Sequence, residues 1–126
     1  MIRAIVNGMP DSTTMDAVFA RLQRSIEADN PNTAIHAVLK LGNFCDDRNR
    51  VPDELIERLL TLIGTQQVLS SIVAATILQF FEFEARRFTK RQKRRCLDFL
   101  KGKLDQFKDA DSLHIAHEIV KGNYLK

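Results

Sequence analysis

Two apolar patterns recur in this chain at a separation of 37 residues. Val18, Phe19, Leu22 and Ile26 return as Leu55, Ile56, Leu59 and Ile63. A third copy, Gln92, Lys93, Cys96 and Leu100, stays apolar only in its second half. Between these lies a second series, in which Ile35, Ala37, Leu41 and Phe44 return as Ile72, Ala74, Leu78 and Phe81. Most steps within each copy are three or four residues, the spacing that lines one face of an α-helix. A period of this size with helical spacing inside it predicts stacked helix pairs, each burying its apolar face on the next.

Start and stop signals divide the chain into about six helices joined as antiparallel hairpins. They form a single helical domain over residues 1–126, with residues 1–12 as an irregular lead-in. Thr13 is the expected cap of the first helix, with Asp16 at the positive end of its dipole. Asn30 caps the second, and Pro31 takes the first helical position, where a missing N–H costs nothing. Ile35, Val38, Leu39 and Leu41 are its apolar residues, and Gly42 offers a left-handed stop. The polar stretch from Cys45 to Val51 is a loop. Pro52 opens a third helix ended by Gly64, and a fourth runs unbroken from about Gln66 to Arg86. Thr89 and Gln92 form a capping box for the fifth, with the stripe Cys96, Leu97, Leu100, Leu104 and Phe107; Gly102 either ends this helix early or weakens it. Asp111 or Ser112 caps the last helix, which runs through Lys121.

With 126 residues, 44% of them hydrophobic, the chain can bury a real core. Two cysteines make no disulfide scaffold, and the opening Met1–Val6 run is too short for a signal-peptide core. The most apolar stretch, Val68 to Phe83, contains Ser70, Ser71, Gln79 and Glu82 and falls short of the ~20 residues of a membrane span. The expectation is a cytoplasmic protein with no membrane partner.

Residues able to do chemistry are scattered. His114 and His117 share a helical face, yet Lys121 or Glu118 does not complete a helical zinc signature, and no third ligand is tied to them by spacing. Cys96 occupies the position of Leu22 and Leu59, so it reads as a buried hydrophobe; Cys45, in the loop, has no histidine linked to it. The five glycines are isolated, so no phosphate-cradling loop exists. Phe80, Phe81, Phe83 and Phe88 read as the core where helices converge rather than as a stacking platform. The expectation is a protein that is not an enzyme, with no catalytic residue, no metal and no cofactor.

Charge is the unusual feature. Residues 86–103 hold nine basic groups and one acid, Asp98, within a chain whose overall net charge is +3. Lys90, Arg91, Arg94, Arg95 and Lys101 share the arc opposite the Cys96/Leu100 stripe. Asp46, Asp47, Asp53, Glu54 and Glu57 gather around the second loop and the third helix. These are two candidate interaction surfaces, with Asp46, Asp47, Glu54, Glu57, Arg91, Arg94 and Arg95 as the partner-binding residues.

The helices around Ile35/Ala37/Leu41 and Ile72/Ala74/Leu78, paired with those around Leu55–Ile63 and Cys96–Leu100, resemble the HEAT-like α-solenoid class. The fold class expected is all-α, a HEAT-like right-handed α-solenoid fragment. In size and arrangement the chain is more similar to small helical immunity proteins of bacterial toxin–immunity pairs, such as those of contact-dependent growth inhibition. That resemblance implies a cytoplasmic, non-catalytic module that binds one toxin domain and blocks it. The alternative is a nucleic-acid-binding helical protein using the basic 86–103 segment. The oligomeric state is left open by either reading.

Overall fold

The computed structural model describes residues 14–45 and 50–122. They form seven α-helices and no strand: α1 (Met15–Glu27), α2 (Pro31–Leu41), α3 (Asp53–Ile63), α4 (Gln66–Leu69), α5 (Val73–Glu84), α6 (Lys90–Lys101) and α7 (Ala110–Lys121). Short 3₁₀ turns follow α2, α5 and α6. The fold is all-α. Among the described residues no helix is long and apolar enough to cross a membrane.

α1 packs on α2, α2 on α5 and α5 on α7, while α3 meets α6 and α6 meets α7. The core follows the recurring pattern: Leu22, Leu55, Leu59, Cys96 and Leu100 are fully buried, as are Ala37, Leu41 and Leu78. Phe80, Phe81 and Phe88 meet at ring-centroid distances of 6.0 to 6.3 Å, two of the three contacts edge-on, the geometry favoured by the ring quadrupole.

The turn between α1 and α2 explains the first hairpin. Asp29 takes φ 52°, the left-handed region, and the Asn30 N–H donates back to Ser25 O at 2.9 Å while Asp29 N–H donates to Ile26 O at 3.1 Å. This pair of bonds is a Schellman stop with aspartate in the place glycine usually takes. Asn30 then caps α2, its Oδ1 accepting from the N–H groups of Asn32 and Thr33. The next residue, Pro31, begins α2 as expected.

Several sequence expectations are corrected. The cap of α1 is Thr14, whose hydroxyl accepts from Ala17 N–H at 3.0 Å; Thr13 lies outside the described residues, as does the 1–12 segment. Gly42 is not a left-handed stop: its φ is −61°, and the chain runs on into a 3₁₀ turn. Ile35 and Ile72, aligned by the repeat, both face solvent, and Leu39 is more exposed still; the buried stripe of α2 is Ala34, Ala37, Val38 and Leu41. Phe83 is likewise exposed, apart from the aromatic core.

The expected helix from Gln66 to Arg86 is broken at residues 70–72, giving seven helices where about six were expected. Asp29 is the cause we identify. Its Oδ1 accepts from Ser71 Oγ at 2.6 Å and from Ile72 N–H at 3.0 Å, and Ser71 Oγ in turn accepts from Val73 N–H at 3.0 Å. Side-chain bonds to the backbone offer those N–H groups an alternative to the helical ladder. Gly102 does end α6; Leu104 lies in the following 3₁₀ turn and Phe107 beyond it. The cap of α7 is Asp109, which accepts from both the N–H and the hydroxyl of buried Ser112, so neither Asp111 nor Ser112 is the cap.

Candidate interaction surface

Gln92 stands where the repeat places Val18 and Leu55, and it is buried like them. Its polar atoms are all used. The carboxamide oxygen accepts from Thr89 N–H at 3.0 Å, completing the expected capping box. The amide Nε2 donates to Val51 O and to Asp53 Oδ1, both at 2.7 Å. A buried side-chain amide is tolerated when its donors and acceptor are satisfied, and here that satisfaction spans two elements. One residue therefore caps α6 and ties its first turn to the entrance of α3.

Two ion pairs continue along the same line. Arg91 Nη2 lies 2.7 Å from Asp53 Oδ2, and Arg95 holds Glu57 through two bonds of 2.9 Å. Asp53 and Glu57 are one turn apart on α3, Arg91 and Arg95 one turn apart on α6, so the pairs stack in register. The Arg95–Glu57 contact is the fork-on-carboxylate geometry that gives a guanidinium its specificity. The Gln92 amide, then Arg91, hold the Asp53 carboxyl below its ordinary value; Arg95 does the same for Glu57, against the opposing effect of burial in both and of the Asp53 charge on Glu57. Glu57 in turn raises the pKa of Arg95. A cleft of about 170 Å³ lies along this seam, lined by Asp53, Ile56, Glu57, Arg91, Gln92 and Arg95.

A matching seam joins α1 to α3. Arg58 Nη1 lies 2.7 Å from Asp16 Oδ1, and its guanidinium sits 4.6 Å above the Phe19 ring. Gln23 donates to Gln67 at 2.8 Å, continuing the contact toward α4. The groove above is open, about 620 Å³, and carries Asp16, Phe19, Glu57 and Arg58 on its walls. Exposed pairs such as these are worth about 0–1 kcal/mol each. They fix which carboxylate faces which cation more than they hold the fold together.

The sequence treats the acidic and basic surfaces as separate; the structure brings four of their residues together. Glu57 pairs with Arg95, and Arg91 with Asp53, inside the chain. Glu54 is exposed and, among the described residues, pairs with Arg58 at 3.8 Å. Asp46 and Asp47 lie outside the described residues. Arg94 is exposed and has no ion pair among the described residues. Sequence reasoning places Asp53 in the acidic cluster, Gln92 in the capping box and Asp16 at a helix start, but misses that these and Arg58 bond across helices. A signal was present: Asp53/Arg91 and Glu57/Arg95 are each separated by the repeat length plus one, placing acid and base on facing edges of successive helices.

The remaining candidates are dispersed. His114 and His117 are exposed on α7, and among the described residues no group of three metal-ligating side chains comes together. The Cys96 thiol is fully buried and pushed up to about 12, first by burial and then by the Glu57 carboxylate, against the opposing pull of Arg95. Cys45 is half-buried and accepts a bond of 3.3 Å from Arg87. Comparison of the chain with protein-family models, with curated proteins and with solved structures finds no match in any of the three.

Proposed function

We propose that this chain is a non-catalytic protein-binding module of the cytoplasm. In this reading it is a short HEAT-like right-handed stack that acts as an immunity-type inhibitor of one toxin domain. The observation that carries the reading is Arg94. It is exposed, lacks an ion pair among the described residues, and rides on a helix whose neighbours Arg91, Gln92 and Arg95 are each fixed to α3. A cation presented on a rigid support pays less ordering entropy when a partner closes on it.

The test is capture of a stable partner by the full chain, with a toxin encoded beside it as the expected catch. Charge reversal at Arg94, or at Glu54 on the other surface, should release it. A complex untouched by both reversals would remove both residues from the interface, and no captured protein at all would remove the module reading. Arg91 and Arg95 are poor probes, because reversing either also breaks the seam.

The second reading is nucleic-acid binding, favoured by Lys90, Arg94 and Lys101 lying exposed along one side of α6. Its affinity would fall with salt at about −0.9 log units per duplex phosphate contact. A flat salt response ends that reading.

A further inference from the structure

The two seams have a direction. In each, the earlier helix supplies the carboxylate and the later helix the guanidinium: Asp16 to Arg58, Asp53 to Arg91, Glu57 to Arg95. The repeat makes Asp16, Asp53 and Lys90 equivalent, and likewise Ala20, Glu57 and Arg94. The positions through which α1 and α3 hand a carboxylate to the next helix are therefore occupied on α6 by cations. Among the described residues α7 is the last helix; it packs chiefly on α5 and also meets α6, and it brings no ion pair to Lys90 or Arg94.

Lys90 and Arg94 lie about 100° round the helix from Arg91 and Arg95. Both are exposed, and neither has an ion pair among the described residues. Lys101 falls within about 40° of the same line, two turns beyond Arg94.

We propose that the Lys90–Arg94 edge receives an acidic helix of a partner protein, one that presents two carboxylates a turn apart and sits as the next member of the row. This deepens the protein-binding reading and rests on it. The geometry required already exists within the chain, where Asp53 and Glu57, four residues apart, meet Arg91 and Arg95, four residues apart. The docked helix would repeat that contact with the charges exchanged.

Two other occupants fit worse. A second copy stacking head to tail would bring the leading edge of its α1, where Arg21 holds the position of Arg58 and Arg95. That places cation against cation, and like charges across an interface select against a partner. A phosphate backbone would meet Lys90 and Arg94 but also the exposed carboxylate of Asp98, one turn beyond Arg94 on the same helix. A discrete pair of carboxylates can avoid that acid; a continuous polyanion cannot.

The experiment uses the full chain and two helical peptides of one composition. In the first, glutamates recur four residues apart along one face; in the second they are spread around the helix. Fluorescence anisotropy should show one-to-one binding of the first peptide and at least fivefold weaker binding of the second. K90E/R94E should weaken binding of the first at least tenfold, while the charge-matched R24E/K40E leaves it unchanged. Equal binding of both peptides, or no effect of K90E/R94E, overturns the proposal. So does tighter binding of a 20-base-pair duplex than of the first peptide. The partner-capture assay separates the two levels: a captured protein retained by K90E/R94E overturns this edge and leaves the module reading standing, whereas no capture by the wild-type chain overturns the module itself.

Discussion

Replacing Gln92 with leucine sets the repeat against the hydrogen bonds. Leucine is what the second copy carries at this position, and it matches glutamine closely in size, so the site has room for it. What it cannot do is bond. The Val51 carbonyl, in a residue only 3% exposed, loses the donor at 2.7 Å and is left in apolar surroundings. An unsatisfied buried acceptor costs about 1–3 kcal/mol. The Thr89 N–H loses its half of the capping box, and the Asp53 carboxylate loses one donor; both groups reach water, so together they add about 1 kcal/mol. Against this, a buried leucine in place of an amide returns about 1–1.5 kcal/mol of apolar transfer. The net expectation is a loss of about 0.5–3 kcal/mol.

Urea unfolding followed by far-ultraviolet circular dichroism measures this directly, provided the m-value is unchanged. A second readout is independent of stability. Because the Gln92 amide is the foremost influence lowering the Asp53 pKa, the carboxyl should titrate at higher pH in the Q92L variant when followed by carbon-13 chemical shift. A Q92L chain as stable as the wild type, with Asp53 titrating unchanged, would refute the reasoning. It would mean that apolar packing alone joins α6 to α3.

Leu59→Ala should cost about 2–5 kcal/mol, since the side chain is fully buried in the hydrophobic core; an effect below about 0.5 kcal/mol would show the repeat stripe is not core. Asp53 and Glu57 hold folded-state pKa values below the ordinary 3.8 and 4.5, so the folded chain binds these protons less readily than the unfolded one. Their stabilisation is complete above pH ~5 and is lost as pH falls through the folded values. D53N/E57Q should therefore flatten the acid limb of stability against pH, by no more than about 1 kcal/mol per exposed pair; an identical limb in the variant contradicts this. Towards a thiol reagent at pH 8 the native chain should show one reactive cysteine, Cys45, with Cys96 reacting only on unfolding, and two equally fast thiols would contradict the burial of Cys96.

The buried half of the fold was legible because it obeys a period. Leu22, Leu59 and Cys96 were placed together by spacing alone, and all three are fully buried. The Thr89–Gln92 capping box and the Asn30–Pro31 start were legible because each is a local motif whose partners lie within three residues. What failed was non-local. The break at Ser71 depends on Asp29, a residue 42 positions away, and no window along the sequence contains both. The capping role of Gln92 is local, but its bonds to Val51 and Asp53 reach about 40 residues back and no local motif signals them. The charged surfaces were each visible as clusters. Their mutual neutralisation needed the helices to be set side by side, after which Lys90 and Arg94 are exposed on α6 with no ion pair among the described residues.

Protein engineers often place glycine wherever a chain must turn left, and Asp29 looks like an invitation to do so. Such a swap would ease the torsion of that residue while cutting its grip on Ser71 and Ile72. Freed of that grip, residues 70–72 could straighten, and the two rods they separate would merge into a single longer one with different aim. A position that appears to be a passive hinge in one hairpin is thus a fastener for the next, and any redesign that shortens, loosens or relaxes it should be expected to shift the direction of α5.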